Sequence, residues 1–189
     1  MKKVGLLGGT FDPPHLGHLF IAQEVQHRLG LDEVWFIPAH EAPHKEKSHT
    51  DAVLRLEMVQ AAIADNPIFR MNPIEVDRLG KSYTFDTIKL LQEMHPDTAF
   101  HFIIGADLVE NLHTWHRIDD LIEMLTFVGV GRPGYELATT YPVTYVDIPE
   151  LEISSSMIRK RVEQGAPVHY LITGAVFDII KEQKLYAER

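Results

Sequence analysis

The sequence contains no cysteine. That excludes a disulfide framework and any thiolate-ligated metal, and it fits a reducing compartment. No apolar run approaches the length of a membrane span. The basic start MKKVGLLGGTFDPPH carries only a short apolar stretch interrupted by glycines, unlike a secretory signal. The expected location is the cytoplasm, with no membrane partner. Cations are also scarce: Lys and Arg number 18 against 27 Asp and Glu, a formal net charge of −9. Such a surface disfavours nucleic acid, yet it leaves room for a small phosphorylated ligand held by a few local cations. Internal repeats, low-complexity tracts and long linkers are missing as well. The 189 residues, 45% hydrophobic and 24% charged, therefore read as one domain with its own core.

Within that domain, apolar runs alternate with helical patterns. Strands are expected at residues 4–7, 33–37, 100–104, 126–130 and 144–148, with 69–76 extended. Helices are expected at 16–29, 51–64, 85–94, 121–125, 156–162 and 175–184. Leu19, Ile21, Ala22, Val25 and Leu29 share one face of the first helix, and Gly30 stops it. In the second helix, Leu54, Met58, Ala61 and Ala62 are the inward set. This alternation implies an α/β fold, a mostly parallel twisted sheet with right-handed crossovers and helices on both faces. A small helical portion should begin at about residue 154. Ligands of such sheets lie beyond the carboxyl ends of the strands. Those ends read GGTFDPPH, PAHEAPHK, GAD and GRPG.

The first of these ends continues as GGTFDPPHLGH, Gly8 to His18. Gly8 and Gly9 suit a sharp turn and a close approach of phosphate to the backbone. The helix start behind them offers N–H groups and a positive dipole end to an anion. Pro14 is placed to set φ for the first turn. His15 and His18, three apart, lie on one face of that turn, with open space left by Gly17 between them. Two imidazoles there can donate to phosphate oxygens as charge builds during phosphoryl transfer. Neither a P-loop lysine motif nor G-x-G-x-x-G follows the strand. The spacing His-x-x-His is poor for one metal ion, and no Glu stands where a zinc peptidase needs it, so no metal ligands are assigned.

GGTFDPPHLGH resembles the GGTFDPxHxGH signature of the HxGH nucleotidylyltransferases, which have a Rossmann-like fold. The resemblance continues through SYTFDT (82–87), FIIGAD (102–107), Trp115, RPG (132–134) and ISSSMIRKR (153–161), in the order expected of bacterial nicotinate-nucleotide adenylyltransferases. It implies transfer of AMP from ATP to nicotinate mononucleotide, giving nicotinate adenine dinucleotide and pyrophosphate. The attack is in-line on the α-phosphorus, without a covalent enzyme intermediate. This agrees with the residues themselves, since no activated Ser or Cys is evident and such transfers rest on positioning and charge neutralisation. Mg2+ is expected to arrive with ATP. The chain is expected to act as a monomer or homodimer.

The same resemblance distributes the residues. His15, His18 and Arg159 are the expected catalytic set. ATP is expected against Gly8, Gly9, Thr10, Phe11, His18, Arg132, Ser155, Ser156 and Arg159. Nicotinate mononucleotide is expected against Thr10, His15, Lys45, Ser82, Tyr83, Thr84, Asp107 and Trp115. Several of these have a second reading: the serines 154–156 suit a helix cap, itself an anion site, and Asp107 could cap a helix. Trp115 is either core or a stacking partner for the pyridine ring. His44 and Lys45 lie in a polar loop after the second strand, and His40 and His49 read as solvated. No Arg or Lys stands in the SYT or HTW stretches to select the nicotinate carboxylate. The resemblance implies backbone N–H groups near Thr84 instead. ENLHTW places Asn111 and His113 where relatives often carry an aromatic residue.

Other readings fit less of the chain. Pantetheine-phosphate adenylyltransferases and glycerol-phosphate cytidylyltransferases share the first motif, but are shorter and lack the SYTFDT and GAD…W arrangement. A non-catalytic nucleotide-binding regulator would be expected to lose His15, His18 or Arg159, and all three are present. A metal-binding protein would have to gather its ligands from scattered histidines.

Overall fold

The computed structural model describes residues 1–40, 48–131, 139–149 and 151–187. Among these residues six strands form one sheet: β1 (Lys2–Gly9), β2 (Glu33–Pro38), β3 (Phe69–Met71), β4 (Thr98–Gly105), β5 (Thr126–Gly131) and β6 (Val143–Asp147). Their order is β3-β2-β1-β4-β5-β6, and all five pairings are parallel. Among the described residues eight α-helices accompany them: α1 (Leu16–Leu29), α2 (Ala52–Ile63), α3 (Ile74–Arg78), α4 (Thr84–Met94), α5 (Ala106–Glu110), α6 (Ile118–Met124), α7 (Ser155–Glu163) and α8 (Gly174–Glu182). The order reverses at β1, where the chain leaves in one direction through β2 and later returns to β4 on the other side. A doubly wound sheet opens its ligand crevice at such a point.

Strand alternation splits the core into two layers. Val4, Leu6, Trp35, Phe100, Phe102, Ile104 and Phe127 face α4 and α6. Leu7, Val34, Phe36, Ile103, Val128 and Val130 face α1, α2, α7 and α8. Successive side chains of a strand point to opposite faces, so each buried strand feeds both layers. The helices of residues 155–182 are thus not an appendage, because Ile158, Val176 and Ile180 sit in the same layer as α1 and α2.

Two sequence expectations change. Residues 69–76 were expected to be extended throughout, but β3 stops at Met71. The Asn72 side-chain carbonyl then accepts the Ile74 N–H at 3.1 Å, and α3 begins. An Asx turn of this kind ends a strand locally. The inward face of α2 is Arg55, Met58, Val59, Ala62 and Ile63, with Leu54 and Ala61 only half-buried. Apolar spacing could not show that a guanidinium turns the helix. The Gly30 stop holds, with φ 59° and its N–H on the Gln26 carbonyl. Asp51, Ser154 and Thr173 cap α2, α7 and α8 through their side chains.

Candidate active site

The loop between β1 and α1 is shaped by its packing. β1 stays extended through Gly8 and Gly9, because Gly9 still pairs with Pro38 of β2. The turn falls instead on Phe11, at φ 51°. This corrects the expectation that the glycines make it. A non-glycine residue in the left-handed region costs energy and persists where its surroundings dictate it. Here the surroundings are plain. A Cβ at Gly9 would lie 3.0–3.2 Å from three atoms of the Phe11 ring, so Gly9 admits that ring beneath the loop. The buried ring packs edge-on to His18, with centroids 4.9 Å apart, and against Phe36. Phe11 therefore supports the site from below.

His15 is the residue before α1, in extended conformation, and His18 lies in the first turn. Their rings stack with centroids 3.7 Å apart and planes at 25°. Gly17 makes the stack possible: a Cβ there would meet the His15 ring at 3.0 Å. The space expected between the histidines is filled by one of them. The His15 backbone N–H donates to His18 Nδ1 at 3.1 Å. Nδ1 is therefore the acceptor nitrogen and the proton belongs on Nε2, which fixes His18 as an Nε2–H donor. His15 is only 8% exposed, and burial lowers its pKa from 6.5 to about 4. It is neutral at pH 7, and two like charges 3.7 Å apart are avoided. The Leu16 N–H at the start of α1 is taken by the Leu171 carbonyl at 2.9 Å. The helix end thus offers fewer free donors to an anion than its sequence implies.

The second cationic motif is brought onto this loop from 147 positions away. Arg159 Nη1 donates to the Asp12 backbone carbonyl at 2.8 Å, and Ser155 Oγ donates to the Pro13 carbonyl at 2.8 Å. Ser154 Oγ accepts from the Met157 N–H as cap, and Ser156 Oγ accepts from Arg159 Nη2 at 3.2 Å. The side chains of Ser155 and Arg159 thus fasten α7 to the loop, with Ser156 bracing Arg159 from within the helix. The Asp12–Pro13 peptide is cis.

One residue of this assembly escapes sequence reasoning. Arg55, in α2, is 1% exposed. It donates to the carbonyls of Ala39 at 2.7 Å, Thr10 at 2.8 Å, Thr50 at 3.3 Å and His40 at 3.4 Å. A single guanidinium therefore ties the end of β1 to the end of β2. Burial lowers its pKa, and Asp12 opposes that shift. Arg55 stands in no motif, and nothing in the sequence marks it. Thr10 lends this network its carbonyl, while its buried Oγ1 has no partner among the described residues.

Across the crevice, α4 begins after the half-buried Tyr83. Ser82 is buried, and its Oγ accepts the His40 N–H at 3.0 Å. The His40 Nδ1 lies 3.2 Å from the Gly80 carbonyl. His40, expected to be solvated, instead links the two loops. Behind α4, burial pushes the Glu75 carboxyl above the usual range, against hydrogen bonds from Thr87, at 2.8 Å, and Ser82. Thr84 opens the helix, whose first-turn N–H groups have no partner within it. Trp115 is half-buried and stands edge-on to Phe102 and Phe127, 5.8 Å from each. One side of its ring belongs to the core, which answers half of the question its sequence position raised. Tyr83 packs on His116 with centroids 5.0 Å apart. Asp107 is exposed and does not cap α5, whose cap is Gly105. It lines a cleft of about 410 Å3 with Gly17, Ile21, Gly131 and Ile148, at the ends of β4 and β5.

The cytidylyltransferase-like family model matches residues 6–161. A probable nicotinate-nucleotide adenylyltransferase of Bacillus pumilus is 54% identical over 187 residues, covering 98% of this chain and 99% of the relative. The nicotinate-nucleotide adenylyltransferase of Bacillus subtilis is 47% identical over 187 residues, with the same coverage. The chain belongs to the cytidylyltransferase-like family, among its nicotinate-nucleotide adenylyltransferases. A Plasmodium falciparum nicotinic acid mononucleotide adenylyltransferase complexed with NaAD shares the fold, with TM-score 0.82 over 98% of both chains at 22% identity.

For an adenylyltransferase of this family, two expected contacts remain without geometry. Lys45, with its neighbour His44, and Arg132 lie outside the described residues. Among the described residues no group of three His, Asp or Glu could hold a metal ion, and no helix is long and apolar enough to cross a membrane.

Proposed function

We propose that His15, His18 and Arg159 form the phosphate clamp for transfer of AMP from Mg-ATP to nicotinate mononucleotide. A phosphate oxygen of the mononucleotide attacks the ATP α-phosphorus in line. The bond from that phosphorus to the bridging oxygen breaks, and pyrophosphate leaves with its electron pair. The products are nicotinate adenine dinucleotide and pyrophosphate. No enzyme nucleophile takes part. The protein holds both phosphates and meets the charge as it develops.

The observation that carries this reading is the junction of the two basic motifs at Asp12 and Pro13, where Arg159 and Ser155 meet the histidine loop. His18 enters with Nε2–H as donor, because its Nδ1 is occupied from within the loop. A preset donor of this kind gains most as negative charge grows on the α-phosphoryl oxygens. Neutral His15 holds His18 by stacking and can itself donate to phosphate. Arg159 and, in this reading, Arg132 and Lys45 supply the positive charge. Magnesium comes as part of the nucleotide substrate. The adenosine half belongs over Gly8 and Gly9 and toward the cleft by Gly17 and Ile148. The mononucleotide belongs between Ser82–Thr84 and Trp115, with Asp107 on the ribose side. There the α4 N–H groups receive the nicotinate carboxylate, and the exposed side of the indole covers the pyridine ring. All these residues come from one chain, so monomer and homodimer serve equally.

The test is pyrophosphate release from Mg-ATP with nicotinate mononucleotide, nicotinamide mononucleotide and phosphopantetheine as separate acceptors. The reading expects strong preference for the first. Equal rates with both mononucleotides would refute carboxylate selection by α4 while keeping the chemistry. Release with phosphopantetheine alone would refute the acceptor.

A further inference from the structure

The activity proposed above uses no residue beyond α7, yet the end of the chain reaches into the same loop. Tyr186 follows α8 and packs with the α1–α2 layer of the core. Its hydroxyl donates to Asp12 Oδ1 at 2.5 Å and accepts from Thr50 Oγ1 at 3.1 Å. Asp12, 2% exposed, uses its other carboxylate oxygen to accept the N–H groups of His49 at 2.7 Å and Thr50 at 3.3 Å. Its backbone carbonyl is the one that holds Arg159. One buried carboxylate therefore collects the chain end, the start of α2 and the histidine loop.

We infer that Tyr186 is a positioning residue for AMP transfer: its hydroxyl holds the Asp12 carboxylate, and Asp12 in turn orients Arg159 and the His15–His18 pair. Three observations carry this. The hydroxyl is bonded on both sides, to Asp12 and to Thr50, so the phenol belongs to a chain of hydrogen bonds and does more than fill space. The backbone around it is held in the left-handed region, at Lys184 with φ 52° and Tyr186 with φ 61°. Non-glycine residues keep such angles when the surroundings impose them, commonly at sites of function. Burial, together with the Asp12 hydrogen bond, also raises the phenol pKa, so it remains a donor to the carboxylate at any working pH. Removing the hydroxyl leaves one oxygen of a buried carboxylate without its donor. Asp12 then shifts toward another partner, and the carbonyl that anchors Arg159 moves with it. Displacements of that order at a transfer site act on turnover.

The inference rests on the proposed AMP transfer, and the experiment separates the two. Steady-state pyrophosphate release is measured for the wild type, Tyr186→Phe and Tyr170→Phe, with thermal melts alongside. Tyr170 is 92% exposed and serves as control. Lack of release by the wild type would sink the activity itself. With an active wild type, Tyr186→Phe should lower kcat about 10-fold and leave both KM values within about twofold, since lost transition-state alignment falls on kcat. Tyr170→Phe should match the wild type. A Tyr186→Phe enzyme with wild-type kcat, whatever its melting temperature, overturns the inference, because a purely structural role moves the melt and not turnover below it. A rise confined to KM overturns it too. Should Tyr186→Phe fail to fold, Thr50→Val breaks the same chain from its other end and carries the test: kcat about threefold down at unchanged KM is expected, and wild-type kcat refutes it.

Discussion

Replacing Arg55 with Met keeps the side-chain length and removes the guanidinium from the place where β1 and β2 end. The Ala39 and Thr10 carbonyls lose donors at 2.7 and 2.8 Å, and those of Thr50 and His40 lose longer ones at 3.3 and 3.4 Å. A buried carbonyl left unpaired costs about 1–3 kcal/mol. The two short bonds therefore set a loss of roughly 4 kcal/mol, with the longer pair adding less. Against this, the fold no longer desolvates a cation, and that returns part of the loss. The net expectation is destabilisation by about 3 kcal/mol. For a chain of this size each kcal/mol shifts the melting midpoint by roughly 2–4 °C, so Arg55→Met should melt about 6–12 °C lower. Arg55→Lys should fall between the two, because one ammonium cannot span carbonyls on both loops. Differential scanning calorimetry at pH 7 reads this directly. A loss below about 2 °C would show that the guanidinium bonds are offset by its desolvation, and would refute Arg55 as the tie between the loops.

Two further expectations concern the histidines. His18→Ala should fold normally and lose turnover by about 10²–10³-fold, as for removal of a preset transition-state donor, and near-normal kcat would contradict that role. His15, with a pKa lowered by burial from 6.5 to about 4, is neutral in the fold, so the unfolded chain binds the proton more readily. Its contribution is therefore fully present above pH 6.5 and is lost as pH falls toward 4. Between pH 7 and pH 5 this loss is about 2 kcal/mol. Urea unfolding of the wild type and His15→Asn at both pH values checks it; equal pH dependence of the two would refute burial of a neutral imidazole.

What the sequence determined by itself is the part of the protein carried by local pattern. Alternating apolar runs such as EVWFI and FHFII, with helical periods between them, are enough for a parallel α/β sheet. GGTFDPPHLGH and ISSSMIRKR state the chemistry in contiguous residues, and the Gly30 stop and serine cap follow from local backbone rules. Even there, the turn was misplaced from Phe11 to Gly8–Gly9, because only the pairing of Gly9 with Pro38 shows that the strand continues. Tertiary structure alone decided how the motifs act on one another. Asp12 looked like one letter of a motif; in the fold it receives Tyr186, 174 positions away, and anchors Arg159. Arg55 belongs to no motif, yet it is buried and donates to four carbonyls. Hydrophobic period and turn chemistry are properties of neighbouring residues, and they are readable along the chain. Hydrogen bonds of buried polar groups depend on which distant segments the sheet order brings together, and no local signal encodes them.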